Sequence, residues 1–243
     1  MKRIEFLRKA GLSLFTTSAL VACVKDSELD VVDGEGTSSE GSNNGSSAQN
    51  CSVTNSETAG PFPTKDPSSL VRNDIRNDRE GVQMDVNITI KDATQGCTVL
   101  SGVIVDIWHC DANGYYSEYG GTQMQSANFS NVHFLRGRQT TDADGLVKFT
   151  SIFPGWYSGR ATHIHVHVYD SSGKSLLVTQ IAFSESVCDH VFTNATNFYK
   201  NGTQDTSNER DNVFSDGYEN ELASISGSIS DGYTLEHTIV VNA

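Results

Sequence analysis

Three histidines alternate with apolar residues in one short stretch of the chain, at His163, His165 and His167. Alternate side chains of a β-strand point to the same face, so the three imidazoles would share one face. Neighbouring members have Cα atoms ~6.6 Å apart, which lets two of them bind one metal ion at ~2.0–2.2 Å per bond. The span from His163 to His167 is about twice as long. The spacing therefore predicts a metal site built on a pair of these histidines, although water-facing histidines on a sheet give the same pattern.

The composition of the chain excludes two classes of protein. The 243 residues include 17 Lys and Arg against 30 Asp and Glu, which gives a net charge of −13. A nucleic-acid-binding protein needs clustered cations against the phosphates, and this chain lacks them. Its 11 Phe, 8 Tyr and 2 Trp supply the apolar surface that a disordered chain does not have. We therefore expect a folded, acidic protein with no nucleic-acid partner.

The segments that must position the histidines are predicted to be β-strands. Residues 82–91 alternate apolar and polar side chains without a break, which is typical of a strand with one buried face. Similar stretches, separated by turn-forming residues, recur at 103–108, 146–152, 164–169, 176–183 and 234–241. Only 184–192 has a helical pattern, and it is short. The pattern predicts an all-β fold, an antiparallel β-sandwich with short helical segments and long loops.

The N-terminal part of the chain has the pattern of an export signal followed by a linker. Residues 1–23 carry a basic start and an apolar run that is too short to cross a bilayer, which indicates a signal peptide. The end of this run resembles the lipobox of bacterial lipoproteins, in which Cys23 would receive a lipid; an ordinary secretory signal with a nearby cysteine is the alternative. Residues 24–50, rich in Gly, Ser and acidic residues, are predicted to be a flexible tether. We expect a domain over 51–243 at the cell envelope, lipid-anchored or secreted.

Four cysteines fall within the predicted domain, at Cys51, Cys97, Cys110 and Cys188. Export to an oxidising compartment favours disulfides. An even number permits two disulfides in three connectivities, and the sequence does not choose among them. Four free thiols are the less favoured alternative.

Three long runs of the chain, 102–117, 134–145 and 154–165, resemble the intradiol ring-cleaving dioxygenases. Shorter matches, which extend the resemblance over most of 51–220, are 59–62, 72–76, Gln180 and 210–212. The Trp-His-Cys-Asp-Ala run that begins at Trp108 is similar to the secreted or lipid-anchored branch of that family. Several long motifs in the same order are far more specific than any one of them.

The resemblance implies an iron enzyme. Its matching positions place a ferric ion, Fe(3+), on four ligands, Tyr116, Tyr157, His163 and His165. It implies that a catechol-type aromatic binds the ion through both hydroxyl oxygens, displaces Tyr157, and reacts with O2 so that the ring is cleaved between the two hydroxyl-bearing carbons. It also implies that Arg160 and Gln180 stabilise negative charge on the substrate ring.

Two points differ from the best-known members, and two other functions remain open. Only six positions separate Tyr157 from His163, so the loop that walls the pocket is short and the identity of the catechol is left open. The helical dimerisation segment of the catechol enzymes is missing, so the oligomeric state is open as well.

The alternatives to a dioxygenase are a surface β-sandwich module that binds without turnover and a His-rich zinc or copper protein. Tyrosines beside the histidine pair would favour the dioxygenase, because neither alternative needs them.

Overall fold

The computed structural model describes residues 51–243. The predicted signal peptide, Cys23 and the tether over 24–50 lie outside the described residues. Within 51–243 the chain forms nine β-strands, one α-helix and short 3-10 helices. The strands are β1 (Gln83–Asp92), β2 (Thr98–Val99), β3 (Ile104–Trp108), β4 (Arg136–Thr140), β5 (Leu146–Ile152), β6 (His163–Tyr169), β7 (Ser175–Ala182), β8 (Ser224–Ser228) and β9 (Gly232–Val241); the helix is α1 (Glu185–Asn194), and the 3-10 helices are Pro67–Ser69, Ala93–Gln95, Asn208–Arg210 and Asn212–Phe214.

The strands form two sheets that share one apolar core. The first sheet has the order β4-β3-β6-β7, with every pairing antiparallel. The second has the order β2-β1-β9-β8, and β5 also pairs with β1. Burial alternates along β1, and its buried side chains join those of β6 and β9 in one cluster. Because β6 lies between β3 and β7, the backbone that carries the histidines is hydrogen-bonded on both sides.

The structure confirms the all-β sandwich predicted from the sequence. Each of the six predicted strands is present, and its ends and those of the helix lie within two residues of the prediction. The alternation does not reveal β4, which is polar, or the short β2 and β8. One pairing departs from antiparallel order, because β1 and β9 run parallel over nine residue pairs. These strands are far apart in sequence, so no tight hairpin turn constrains their relative direction.

The expectation of two disulfides is wrong. Cys51 and Cys97 form a disulfide, with Cα atoms 5.7 Å apart, whereas Cys110 and Cys188 are free and buried. The reason is their location in different clusters: Cys188 is part of the main core, and Cys110 packs in an aromatic cluster with Tyr116. The two remaining thiols therefore act as small apolar side chains.

In the part of the chain that the structure describes, no helix has the length and apolar character needed to cross a membrane.

Candidate active site

His163 and His165 lie side by side on β6, at the centre of the first sheet. The imidazole of His165 stacks on the indole of Trp108, which faces it from β3, with ring centroids 4.9 Å apart. The Nδ1 of His163 donates to the carbonyl of Ala161 at 2.6 Å, so its Nε2 carries the lone pair. The Nε2 atoms of the two histidines are 3.2 Å apart. Burial lowers the pKa of His163 to about 3 and the pKa of His165 well below its ordinary value, so both imidazoles are neutral.

Two tyrosines from separate loops complete this cluster. Tyr116 is fully buried in the loop after β3, and its hydroxyl lies 3.4 Å from Nε2 of His163. The ring of Tyr157 lies 5.8 Å from the rings of both Tyr116 and His163, and Tyr157 is only partly buried. Burial raises the pKa of each tyrosine above its ordinary value. A phenolate would therefore form here only with a cation beside it.

Backbone contacts fix the positions of the two tyrosine loops. Gly114 has φ +85, and a Cβ at this position would lie 2.3 Å from the carbonyl oxygen of Trp156, so glycine allows the loops to meet. On the other side, the amide of Gln125 accepts from the backbone N–H of Tyr116 at 2.7 Å and donates to its carbonyl at 2.8 Å. Sequence patterning does not identify Gln125, because a buried amide gives no periodic signal.

The geometry of His163, His165 and Tyr116 fits a single metal ion, and the ring of Tyr157 lies beside them. Adjacent ligands of one ion, each bound at ~2.1 Å, lie about 3.0–3.4 Å apart. The Nε2 atoms of His163 and His165, at 3.2 Å, and the Tyr116 hydroxyl and Nε2 of His163, at 3.4 Å, match that spacing. Imidazole nitrogens suit iron, and phenolate oxygens are hard anionic donors that favour the ferric state. Tyr116, Tyr157, His163 and His165 could therefore hold Fe(3+).

His167 lies apart from this cluster. Its Nε2 contacts the hydroxyl of Ser175 at 2.8 Å, and its Nδ1 contacts the hydroxyl of Tyr169 at 2.8 Å. Among residues 51–243, no group of three or more His, Cys, Asp or Glu side chains is placed to hold a metal ion. The three-histidine alternative has no matching cluster in that region, and a metal at His163 and His165 needs the tyrosines.

Arg160 and Gln180 lie beside Tyr157. The guanidinium of Arg160 donates through Nη1 to the Tyr157 hydroxyl at 3.5 Å and through Nη2 to Oε1 of Gln180 at 2.6 Å. The other end of the Gln180 amide donates to the carbonyl of Thr58 at 2.9 Å. The structure thus brings together all the site residues predicted from the sequence, which are Tyr116, Tyr157, Arg160, His163, His165 and Gln180.

Residues 54–62 form an N-terminal strap that packs along β7 and over the site. The N–H of Glu57 donates to the carbonyl of Val178 at 2.8 Å, which attaches the strap to the edge of β7. Gly60 has φ +67, and a Cβ there would lie 2.9 Å from Cε1 of His165. Phe62 stacks on Tyr116 with ring centroids 4.9 Å apart. The strap therefore covers one metal-ligand candidate with backbone and a second with an aromatic ring.

Arg136 is a fully buried cation that sequence patterning does not identify as part of the site. Its Nη1 donates to the carbonyl of Phe62 at 2.9 Å and its Nε to the hydroxyl of Ser117 at 2.8 Å. The guanidinium carbon lies 5.9 Å from the centre of the Tyr116 ring. Burial lowers the pKa of Arg136 to about 10, so it remains charged at neutral pH. Arg136 therefore links the strap to the Tyr116 loop. The sequence feature that points to Arg136 is its place within the run 134–145, which resembles the family.

The loop between Tyr157 and His163 has no regular structure, and one polar segment, residues 204–211, holds it in place. In each contact a side-chain oxygen of the segment accepts from the loop. The contacts are Gln204 with Thr162 (3.0 Å), Asp205 with Ser158 and Gly159 (2.7 and 3.0 Å), and Asp211 with Arg160 and Ala161 (2.8 and 2.8 Å). Hydrogen bonds to a segment outside the loop therefore hold this short loop in place.

Comparison with known proteins gives a family match over more than half of the chain. The family model described as "Dioxygenase" matches residues 63–212. This range contains every candidate ligand as well as Arg160, Gln180 and Asp211. The strap lies before it.

Individual relatives agree with that match. An intradiol ring-cleavage dioxygenase from Tetranychus urticae is 27% identical, with a TM-score of 0.70 over 79% of this chain and 95% of that one. A chlorocatechol 1,2-dioxygenase from Rhodococcus opacus is 29% identical in an alignment of 142 residues that covers 51% of this chain and 51% of that protein, so the chain spans about half the length of that relative. The dioxygenase domain of a carbohydrate-binding fusion protein from Streptomyces sp. SirexAA-E, 23% identical with a TM-score of 0.57 over 79% of this chain and 99% of that one, shares the fold.

Proposed function

Because this chain belongs to the intradiol ring-cleaving dioxygenase family, we propose that it is a non-haem ferric dioxygenase that acts on a catechol-type aromatic. The reaction inserts both atoms of O2 and cleaves the ring between the two hydroxyl-bearing carbons, giving a muconate-type diacid. The convergence of two tyrosines on a buried pair of neutral histidines supports this function best. A binding module without turnover would need neither the tyrosines nor the charged residues beside them.

Fe(3+) would be held by Tyr116, Tyr157, His163 and His165, and it would supply a Lewis acid that binds both oxygens of the catechol. The protein fixes the imidazoles by other contacts, so their orientation does not depend on the ion. His163 is fixed through Ala161, and His165 through its stacking on Trp108. Such outer contacts orient metal ligands, and the contact with Ala161 also selects the tautomer of His163 that leaves its Nε2 free for a metal.

The two tyrosines have different environments, which suits different roles. Tyr116 is completely buried, and Gln125 clamps its backbone on both sides. Tyr157 is partly exposed and lies in a loop. We assign to Tyr157 the phenolate that gives way to the catechol and accepts a proton from one of its hydroxyls. Burial raises the pKa of Tyr157, which favours the protonated phenol once it has left the cation.

Arg160 provides positive charge at the place where the substrate enters. Its Nη1 lies 3.5 Å from the hydroxyl of Tyr157, so a catechol that takes the place of this hydroxyl lies beside the guanidinium. A fixed cation in a site with little water stabilises the negative charge that develops on the substrate ring. Gln180 has both ends of its amide occupied, by Arg160 and by the carbonyl of Thr58, so it orients Arg160.

The test is turnover of catechol by the iron-loaded full chain, followed by muconate absorbance and O2 uptake. With 18O2, each of the two new carboxyl groups should carry one labelled oxygen. The protein should be red to burgundy from tyrosinate-to-iron charge transfer, and Tyr116→Phe and Tyr157→Phe should each alter that band. A coloured, iron-loaded protein that cleaves no catechol would contradict the dioxygenase, and a colourless one with full activity would contradict the ligand assignment.

We also propose that the chain is held at the cell envelope through a lipid on Cys23. The basic start, the apolar run and the lipobox-like end of residues 1–23 support this proposal. In a bacterial host, labelled palmitate should enter the protein and the protein should fractionate with membranes. The Cys23→Ser variant should lose both properties. A parent protein that takes up no palmitate and is released from membranes would favour the ordinary secretory signal, and equal labelling of the variant would show that the lipid is not on Cys23.

A further inference from the structure

Asp211 is a buried carboxylate at the centre of the contacts around Arg160. Its side chain is 0% exposed, and that of Arg160 is 12% exposed. Both carboxylate oxygens accept from Nε of Arg160, at 2.9 and 2.8 Å. The same carboxylate accepts from the backbone N–H of Ala161 at 2.8 Å and from that of Val213 at 3.0 Å. Each of these hydrogen bonds comes from the Arg160 cation or from a backbone N–H, so the carboxylate is fixed in position.

The mode of contact determines where the guanidinium points. Because Asp211 contacts Nε, both terminal nitrogens of Arg160 remain available, and they reach the Tyr157 hydroxyl and the Gln180 amide oxygen. An arginine side chain without such a partner has several rotamers of similar energy. The carboxylate therefore selects one of them and keeps the positive charge beside Tyr157.

We propose that Asp211 is a positioning residue, whose carboxylate holds the Arg160 guanidinium at the place where negative charge develops on the substrate. This inference rests on the proposed dioxygenase function. Asp211 is 51 residues from Arg160 in sequence, and its carboxylate is hydrogen-bonded to Arg160 and to the backbone N–H groups of Ala161 and Val213. Its effect on the reaction should run through Arg160.

The variant that tests this is Asp211→Asn. Asparagine has nearly the same size and keeps one oxygen that can accept from the backbone N–H of Ala161, but it loses the negative charge that faces Arg160. The matched control is Asp205→Asn, because Asp205 is exposed, holds Ser158 and Gly159 of the same loop, and does not contact Arg160. We expect Asp211→Asn to lower kcat by about tenfold or more with a smaller change in KM. The control should keep most of its kcat, with iron retained in both.

A double-mutant cycle separates positioning from a general structural role. If Asp211 acts through Arg160, Asp211→Asn should have little further effect on kcat when Arg160 is already alanine. A merely structural carboxylate would lower kcat by the same factor in both backgrounds, and that result would overturn the proposal. An Asp205→Asn variant that loses as much kcat as Asp211→Asn would overturn it as well.

A second readout needs no turnover. Phenylglyoxal modifies arginine side chains, and peptide mass spectrometry gives the rate at Arg160 in the full chain. Without the carboxylate, Arg160 should react several-fold faster in Asp211→Asn than in the parent protein, while Asp205→Asn should leave its rate unchanged. If the parent cleaves no catechol, the proposed function fails, yet this rate still decides whether Asp211 fixes Arg160. An unchanged rate in Asp211→Asn would contradict the positioning role.

Discussion

Replacing His163 or His165 by alanine should abolish iron retention, whereas replacing His167 should not. The Nε2 atoms of His163 and His165 are 3.2 Å apart in a buried site, so each change removes one of four ligands and leaves a cation with too few donors. His167 lies farther along β6 and bonds to Ser175 and Tyr169, outside the cluster. We expect iron to fall from about one per chain to near zero in the first two variants.

Iron per protein after dialysis is the measurement, with catechol cleavage assayed on the same samples. His167→Ala is the matched control, because it removes an imidazole from the same strand and the same face of the sheet. Circular dichroism before iron loading shows whether each variant is folded. Loss of iron from the His167 variant as complete as from the His163 variant would favour the three-histidine zinc or copper protein.

Arg160→Ala should slow ring cleavage by about 100-fold, equivalent to ~2.7 kcal/mol of transition-state stabilisation, with a much smaller effect on catechol binding. In the proposed function the oxygens of the catechol would bind the ion, so affinity should depend little on a guanidinium whose role would begin after the substrate has bound. Gln180→Ala should be milder, because Gln180 orients Arg160 and does not replace its charge. Single-turnover rates and the catechol-dependent shift of the tyrosinate band would separate the two effects.

The Arg160→Ala variant carries its own confounding effect. It leaves Asp211 buried and without its cation, which costs about 3–5 kcal/mol in comparable buried pairs. The double variant Arg160→Ala with Asp211→Asn removes the stranded charge and should recover thermal stability. If it also recovers turnover, the slow rate came from damaged folding, and Arg160 is then an ordinary loop arginine.

The strands were predictable because their burial repeats every two residues. In β1 each buried side chain is followed by a more exposed one, so the sequence alone defines both the strand and its inner face. In β4, Arg136 is fully buried although arginine normally predicts a surface position. Its burial depends on the carbonyl of Phe62 and on Ser117, neither of which is near it in sequence. The pattern of apolar and polar residues within β4 therefore cannot predict that Arg136 is buried.

In the candidate site, too, local sequence predicts some residues and not others. The pairing of His163 with His165 follows from strand geometry, but Tyr116 and Tyr157 came from resemblance to a family, because loops carry no period. Asp211 lies in a matching segment, yet its partner is 51 residues away and the contact exists only in the folded chain. The cysteines show the limit of counting: an even number did not reveal that Cys110 and Cys188 lie in separate clusters.

If the chain is tied to a membrane through Cys23, as proposed above, the disulfide has a mechanical consequence. Cys51 lies just before the strap, and Cys97 lies just after β1 and the turn that follows it. A pull on the chain upstream of Cys51 is therefore transmitted through the S–S bond to Cys97, and the residues between them bear no tension. Gly60 and Phe62, which pack on His165 and Tyr116, lie within this shielded loop. Reduction of the disulfide would make the strap part of the force-bearing path, and a load would reach the contacts of Thr54 with Val240 and of Glu57 with Val178 before it reached Gly60 and Phe62.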